Sequence, residues 1–169
     1  DTLVEDEAML KRFFENSTVH RDGWGLYKES AGRTCLYRDS RPAYASTRFQ
    51  WILDHPEPAR MAIGHIRYAT TGSVCRKNVH PYQAVDTDGR LMTLAHNGGC
   101  PMCMELAPFT DRQMGTTDSE RILLYIIDQL TKVRKTQSQP LTQKQRIRVI
   151  DGALSSLSGI GRINVILTD

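Results

Sequence analysis

The chain has 169 residues, 40% hydrophobic and 24% charged, the make-up of an ordinary globular protein with room for a real core. Its 22 basic and 19 acidic residues leave a net charge of +3, too mild to point to a nucleic-acid partner. No apolar run approaches the roughly 18 residues of a membrane span and no basic-then-apolar leader opens the chain, so a soluble, cytoplasmic protein is expected.

In chain order, residues 2–15 place Leu3, Leu10, Phe13 and Phe14 at helical spacing and predict an amphipathic helix. Residues 24–28 and 34–38 read as a strand pair across a turn at 30–33. Residues 47–53 are ambiguous between helix and strand, and His55-Pro-Glu-Pro58 ends them. Residues 61–68 and 91–95 read as strands joined by a long polar loop.

Two helices then have clear starts. Thr117-Asp-Ser-Glu120 has the form of a capping box, followed by the apolar stripe Ile122, Leu123, Ile126, Ile127 and Leu130. Thr142-Gln-Lys-Gln145 is a second box, with Ile147, Ile150, Leu154 and Leu157 on one face. The basic clusters at 132–135 and 146–148 have no interleaved aromatic residues and read as solvated faces. Residues 163–167 form a last strand. No repeat, low-complexity tract or long linker divides the chain, so residues 1–169 are read as one α+β domain. Asp1 in place of an initiator methionine, and an end directly after a strand-like run, suggest a piece of a longer protein.

Cysteines stand at 35, 75, 100 and 103, without the pattern of a small secreted disulfide framework, and reduced thiols are the default. Cys100-Pro-Met-Cys103 has the spacing of redox and zinc sites. No second C-x-x-C or H-x-x-x-H pair completes a ligand set, so both are read as ordinary buried or loop cysteines. No metal or cofactor is expected.

The chemistry-bearing residues lie in loops at strand ends. Arg67 closes a predicted strand and can grip a carboxylate with two parallel hydrogen bonds. Asn97-Gly98 offers a side-chain amide beside an open backbone N–H, the parts of an oxyanion hole. Asp118 in a first helical turn can hold an ammonium group. Together they describe a site for an α-amino acid with a reactive side-chain carbonyl, such as glutamine. Each also has a plainer reading: a salt-bridge partner, a hairpin turn and a first-turn charge, respectively. His80, before Pro81, fits a loop-fixing role as well as a substrate role. His20, His65 and His96 read as structural, and Trp24 and Tyr68 as wall or core aromatics.

Five motifs occur in order: Asp22-Gly-Trp-Gly25, Arg67-Tyr-Ala-Thr-Thr-Gly72, Asn78-Val-His-Pro81, Ala95-His-Asn-Gly98 and Thr117-Asp-Ser-Glu120. Each is weak alone, but the ordered set resembles the class II glutamine amidotransferases, and the first motif fits their stand-alone branch. The resemblance implies an N-terminal-nucleophile hydrolase fold, a four-layer αββα sandwich with two antiparallel sheets between helical layers. It also implies a substrate α-carboxylate bound by Arg67 with Thr70, an α-amino group held by Asp118, an oxyanion hole at Asn97 and Gly98, and support from His80. Family enzymes use an amino-terminal cysteine whose own α-amine serves as base, which suits an amine titrating near pH 7–8.

None of Cys35, Cys75, Cys100 or Cys103 is at an amino terminus, so the 169 residues by themselves are expected to release no ammonia, and the nucleophile is expected in an omitted segment. The C-x-x-C insert after Asn97-Gly98 departs from the common pattern. The resemblance leaves three readings: hydrolysis of glutamine to glutamate and ammonia, hydrolysis of a γ-glutamyl conjugate in thiol metabolism, or a non-catalytic module that kept the fold. Expected partners are the substrate, an ammonia-accepting synthase or a second copy of the chain.

Overall fold

The structure is a computed structural model and describes residues 7–30 and 32–169. These divide into two compact units on either side of the Pro81–Tyr82 boundary. Each unit carries one three-stranded antiparallel sheet and its own helices, so the class is α+β, as expected.

In the first unit, α1 (Glu7–Glu15) precedes β1 (Trp24–Ser30), β2 (Arg33–Asp39), α2 (Thr47–Asp54) and β3 (Met61–Ile66). Leu3 lies outside the described residues. The predicted strand pair is present, and β1 is central, pairing Trp24 with Asp39 of β2 and with Ile66 of β3. The core is aromatic. The Phe14 ring stands edge-on to Trp24 at 5.6 Å and lies 4.6 Å from Phe49. Trp24 and Phe14 are fully enclosed, and burial of each such side chain contributes roughly 1.5–3 kcal/mol. Phe13, expected on the buried stripe, is 42% exposed, because residue 13 lies about 100° round the helix from Phe14.

The ambiguous segment 47–53 is helical. Ser46 caps α2 by accepting the Phe49 N–H, and its hydroxyl donates to Asp39 at 2.6 Å.

The second unit runs β4 (Tyr82–Val85), β5 (Leu91–Gly99), α3 (Asp118–Arg134), α4 (Gln143–Ser158) and β6 (Arg162–Thr168). Its sheet order is β4-β5-β6, with β5 central. Strand β4 lies inside the stretch read as a loop. Met92 and Leu94 of β5 and Ile122, Leu123, Ile126 and Leu130 of α3 build the core.

Both helix caps are present, with one difference. Thr142 and Gln145 form the full reciprocal box on α4. Thr117 caps α3, but Glu120 turns its carboxylate to the backbone N–H groups of Met114 and Gly115, at 2.8 Å each. It thereby anchors the incoming loop.

Two readings of α4 are corrected. Ile147 is 58% exposed, and its expected inward place is taken by Arg146, which is 1% exposed and therefore no solvated basic face. Arg146 bonds Asp86 at 2.6 Å and Asp169 at 2.6 Å, with Asp88 at 3.6 Å. Arg134, from the other basic cluster, pairs with Asp88 at 2.6 Å. Burying a guanidinium is tolerable only with partners of this kind.

Among the described residues, no helix is long and apolar enough to cross a membrane.

Candidate functional site

Arg67, Thr70 and His80 belong to the first unit; Asn97, Gly98 and Asp118 belong to the second.

Arg67 directly follows β3 and is clipped to the chain ahead of β1: its N–H donates to the Gly23 carbonyl at 2.8 Å, and its carbonyl accepts the Asp22 N–H at 3.2 Å. The side chain is 3% exposed. Its guanidinium donates to the carbonyls of Thr71 (2.8 Å), Gly72 (3.2 Å) and Ser73 (3.2 Å), so residues 71–73 wrap around it. Gly72 makes this turn at φ +75, a conformation that suits glycine. Asn78 supports the same turn by donating to Ser73 O at 2.9 Å. Three of the five guanidinium N–H groups are engaged in these bonds, leaving Nε–H and one Nη1–H outside them. Arg67 is thus an organiser of its loop as well as a candidate carboxylate binder. Thr70, three residues on, is exposed.

His80 is buried, with its ring 4.1 Å from that of His65. Its carbonyl lies against Gly25 of β1 so closely that no Cβ fits there. This explains the second glycine of Asp22-Gly-Trp-Gly25. Tyr68, expected in a wall or core, is 64% exposed and meets His20 edge-on at 5.4 Å. Cys75, a free thiol, is held below the usual thiol range by the Ser73 hydroxyl; partial burial opposes this, and N–H groups of Asn78 and Lys77 and the Arg67 charge add to it.

In the second unit, Asn97, Gly98 and Gly99 are the last residues of β5, paired with Asn164, Ile163 and Arg162 of β6. Asn97 and Gly98 are exposed where the preceding five residues of the strand are buried. Gly98 tolerates no side chain: a Cβ would run into the Arg162 carbonyl and come within 2.7 Å of His96 Nε2. His96 is structural, as read. Its Nδ1 meets the Ser119 hydroxyl at 2.9 Å and its Nε2 meets the Arg162 carbonyl at 3.0 Å, so it ties β5 to α3 and β6.

Asp118 opens α3 and is 4% exposed. Its Oδ2 accepts the Cys100 N–H at 2.6 Å and its Oδ1 the Ser119 N–H at 3.0 Å. The negative charge is favoured at this helix terminus, and each oxygen has a further lone pair. The Thr117 hydroxyl donates to Tyr82 at 2.7 Å, fixing the same turn to β4. The end of β5 and the start of α3 therefore meet through Cys100 and Asp118, with Gly98 two residues before the contact.

Ser119 and Cys100 were not singled out in the sequence for these contacts. Cys100 and Cys103 also correct the expectation of reduced thiols: they form a disulfide with Cα atoms 5.4 Å apart. Among the described residues, no group of three or more His, Cys, Asp or Glu side chains is placed to hold a metal ion.

The family model of the class II glutamine amidotransferases matches residues 8–169. The chain belongs to this family. It is 30% identical over 152 residues to YafJ of Escherichia coli (strain K12), whose name marks its glutamine amidotransferase assignment as unproven. A Haemophilus influenzae relative with the same kind of assignment is 26% identical over 150 residues. Both matches cover 89% of this chain but only 58% and 50% of the relatives, so the chain spans about half the length of the relatives it matches. The crystal structure of a predicted glutamine amidotransferase from Pseudomonas aeruginosa PA01 superposes with a TM-score of 0.64 at 26% identity, covering 89% of this chain and 57% of that one. The Bacillus subtilis glutamine phosphoribosylpyrophosphate amidotransferase shares the fold at 19% identity, with a TM-score of 0.61 over 95% of this chain and 32% of its own.

Proposed function

We propose that the protein carrying these residues hydrolyses the side-chain amide of glutamine to glutamate and ammonia. The observation that supports the reading is the bond from the Cys100 N–H, two residues beyond Gly98, to the buried Asp118 carboxylate at a helix start. In this reading, carried over from the family motifs, Asp118 has the role of binding the substrate ammonium group, and Arg67, helped by Thr70, that of binding the α-carboxylate. His80 holds the loop that follows. The Asn97 amide and the Gly98 N–H receive the negative charge that develops on the amide oxygen, where removing one such donor costs roughly 10²–10³ in rate.

The nucleophile is an amino-terminal cysteine outside the 169 residues, with its α-amine as base. The thiolate attacks the amide carbon, ammonia leaves with the proton that the amine returns, and water cleaves the resulting thioester. Residues 1–169 are then part of one amidotransferase domain, working in the cytoplasm and passing ammonia to a synthase or to solvent.

The test uses the full-length protein. Ammonia release from glutamine, a glutamyl thioester trapped by mass spectrometry on the terminal cysteine, and loss of turnover with retained glutamine binding when that cysteine becomes alanine are expected. A γ-glutamyl amide shares the amino-acid end of glutamine and is assayed beside it. Faster turnover of that amide would replace glutamine as the substrate. Binding of neither compound would overturn the reading in favour of a non-catalytic module.

A further inference from the structure

Cys100 lies two residues beyond Gly98, and its N–H is the donor to Asp118 Oδ2. The disulfide to Cys103 encloses only Pro101 and Met102. A bridge stabilises a fold mainly by restricting the unfolded chain, an effect that is smallest for the shortest loops. This one is therefore a poor staple, yet it sits at the joint between the two halves of the second unit's candidate site. We propose that Cys100 and Cys103 are a redox-modification site, a thiol–disulfide pair whose reduction by a dithiol loosens the joint between the β5 tip and Asp118. The consequence for catalysis rests on the glutamine reading; the redox chemistry does not.

The surroundings decide which way the loop gives. On one side Cys100 abuts Gly161, where a Cβ would come within 2.7 Å of its sulfur, so that side has no room. Breaking the bond moves two sulfur atoms from bonded to non-bonded separation, roughly 3.5–4 Å for heavy atoms in contact. The movement has to be taken up by Cys103 and the 101–102 tip, or by the Cys100 backbone with its hydrogen bond to Asp118. Cys103 in turn donates its N–H to the Cys100 carbonyl at 3.3 Å and accepts the Leu106 N–H at 3.0 Å, so the disturbance reaches the turn that starts at Met104.

Both cysteines are buried, but their neighbours in the chain are at the surface: Met102 is 77% exposed and Met104 78%. Opening two residues gives a thiol access to sulfur without unfolding the sheet. The exchange is balanced. A thiolate of the dithiol attacks one sulfur, the other cysteine leaves as a thiolate and takes a proton, and the second thiol of the reductant resolves the mixed disulfide. The protein gains two electrons and two protons, and the reductant becomes a disulfide. Cys35 and Cys75 are the remaining thiols of the chain and take no part.

The full-length protein is incubated with and without millimolar dithiothreitol, alkylated under native conditions, and mapped by peptide mass spectrometry. The peptide carrying Cys100 and Cys103 is expected to take two alkyl groups only after reduction. Hydrogen exchange at the Cys100 amide is expected to rise at least tenfold on reduction, and to return on reoxidation. The Cys100→Ser/Cys103→Ser double variant should show the fast exchange whether or not reductant is present. On the glutamine reading, KM rises several-fold in parallel. If exchange responds but no glutamine is turned over in either state, the redox site stands and the proposed activity falls. If the pair stays bridged under native reduction, is found as free thiols without reductant, or is reduced with no change in exchange, the redox proposal is overturned.

Discussion

Asp118 accepts the Cys100 N–H through Oδ2 at 2.6 Å and the Ser119 N–H through Oδ1 at 3.0 Å, so a single carboxylate joins the end of a central strand to the start of a helix. That double duty separates two properties that a substitution can tell apart.

Asp118→Asn keeps an oxygen for the Cys100 N–H but removes the charge. A hydrogen bond to a charged group is worth about 1.5–3 kcal/mol, which corresponds to roughly ten-fold or more in affinity. KM for glutamine in the full-length protein is expected to rise at least that much, while the melting temperature falls only modestly, because the amide nitrogen then faces the Ser119 N–H. Steady-state kinetics and a thermal melt check it; an unaltered KM in a folded variant removes Asp118 from substrate binding.

Glycines of the second unit give a contrast. Gly98→Ala drives a methyl group into the Arg162 carbonyl, and an overpacked position of this kind costs roughly 1–3 kcal/mol. Gly152, inside α4, faces open space, with nothing within 4 Å of where an alanine methyl group would sit. Gly152→Ala should therefore gain about 0.5–1 kcal/mol from helix propensity alone. Urea unfolding of the two variants should move the midpoint in opposite directions.

Arg146→Leu leaves Asp86 and Asp88 buried beside an apolar side chain. Breaking such an arrangement by removing one partner costs about 3–5 kcal/mol, and the loss should show as a large drop in the urea midpoint. A neutral result would mean that water reaches the two aspartates.

The first unit has a pH-dependent contact. Burial by itself would raise the Asp39 carboxyl, but hydrogen bonds from the Arg41 side chain, the Ser46 hydroxyl and the Arg41 N–H outweigh it and hold the group at about 2. Its folded value is below the ordinary value near 4, so its stabilisation is complete above about pH 4 and disappears as pH falls through about 2. The contribution is on the order of 2 kcal/mol or less. Chemical unfolding followed from pH 5 to 2 should show a decline across that window, and Asp39→Asn should flatten it. The decline would also loosen α2, because Ser46 is both the donor to Asp39 and the cap of the helix.

How much of this could be read from residue order depended on the range of the interactions. Helices α3 and α4 were legible because Thr117 and Thr142 announce their starts and because apolar residues at a period of three and four follow each of them. The β1–β2 pair was legible because its turn is short. Strand β4 was not, since Tyr82–Val85 is four residues long and owes its pairing to β5, which no local pattern encodes. Ser46 was the missed signal in the ambiguous segment: a capping residue three positions before Phe49 favours a helix over a strand. Arg146 was misread because its carboxylate partners are 60, 58 and 23 positions away along the chain. Residue types at the candidate site were conspicuous as motifs, while the connections that hold them, such as His96 with Ser119, depend on packing that only folding brings about.

Strand β5 has unequal ends. Its interior from Met92 to His96 is enclosed, with Thr93 and Leu94 paired to a strand on each side, and such segments are among the last parts of a domain to open. The proposed oxyanion donors are mounted on the end of that stiff beam, whereas the exposed stretch that follows, with Met102, Met104 and Met114 at its surface, hangs from it. Precision and variability are thereby assigned to different stretches of one chain. A laboratory seeking altered substrate preference can randomise the outer positions between 101 and 114 while leaving residues 92–99 untouched, and should recover many folded clones with the donor geometry intact.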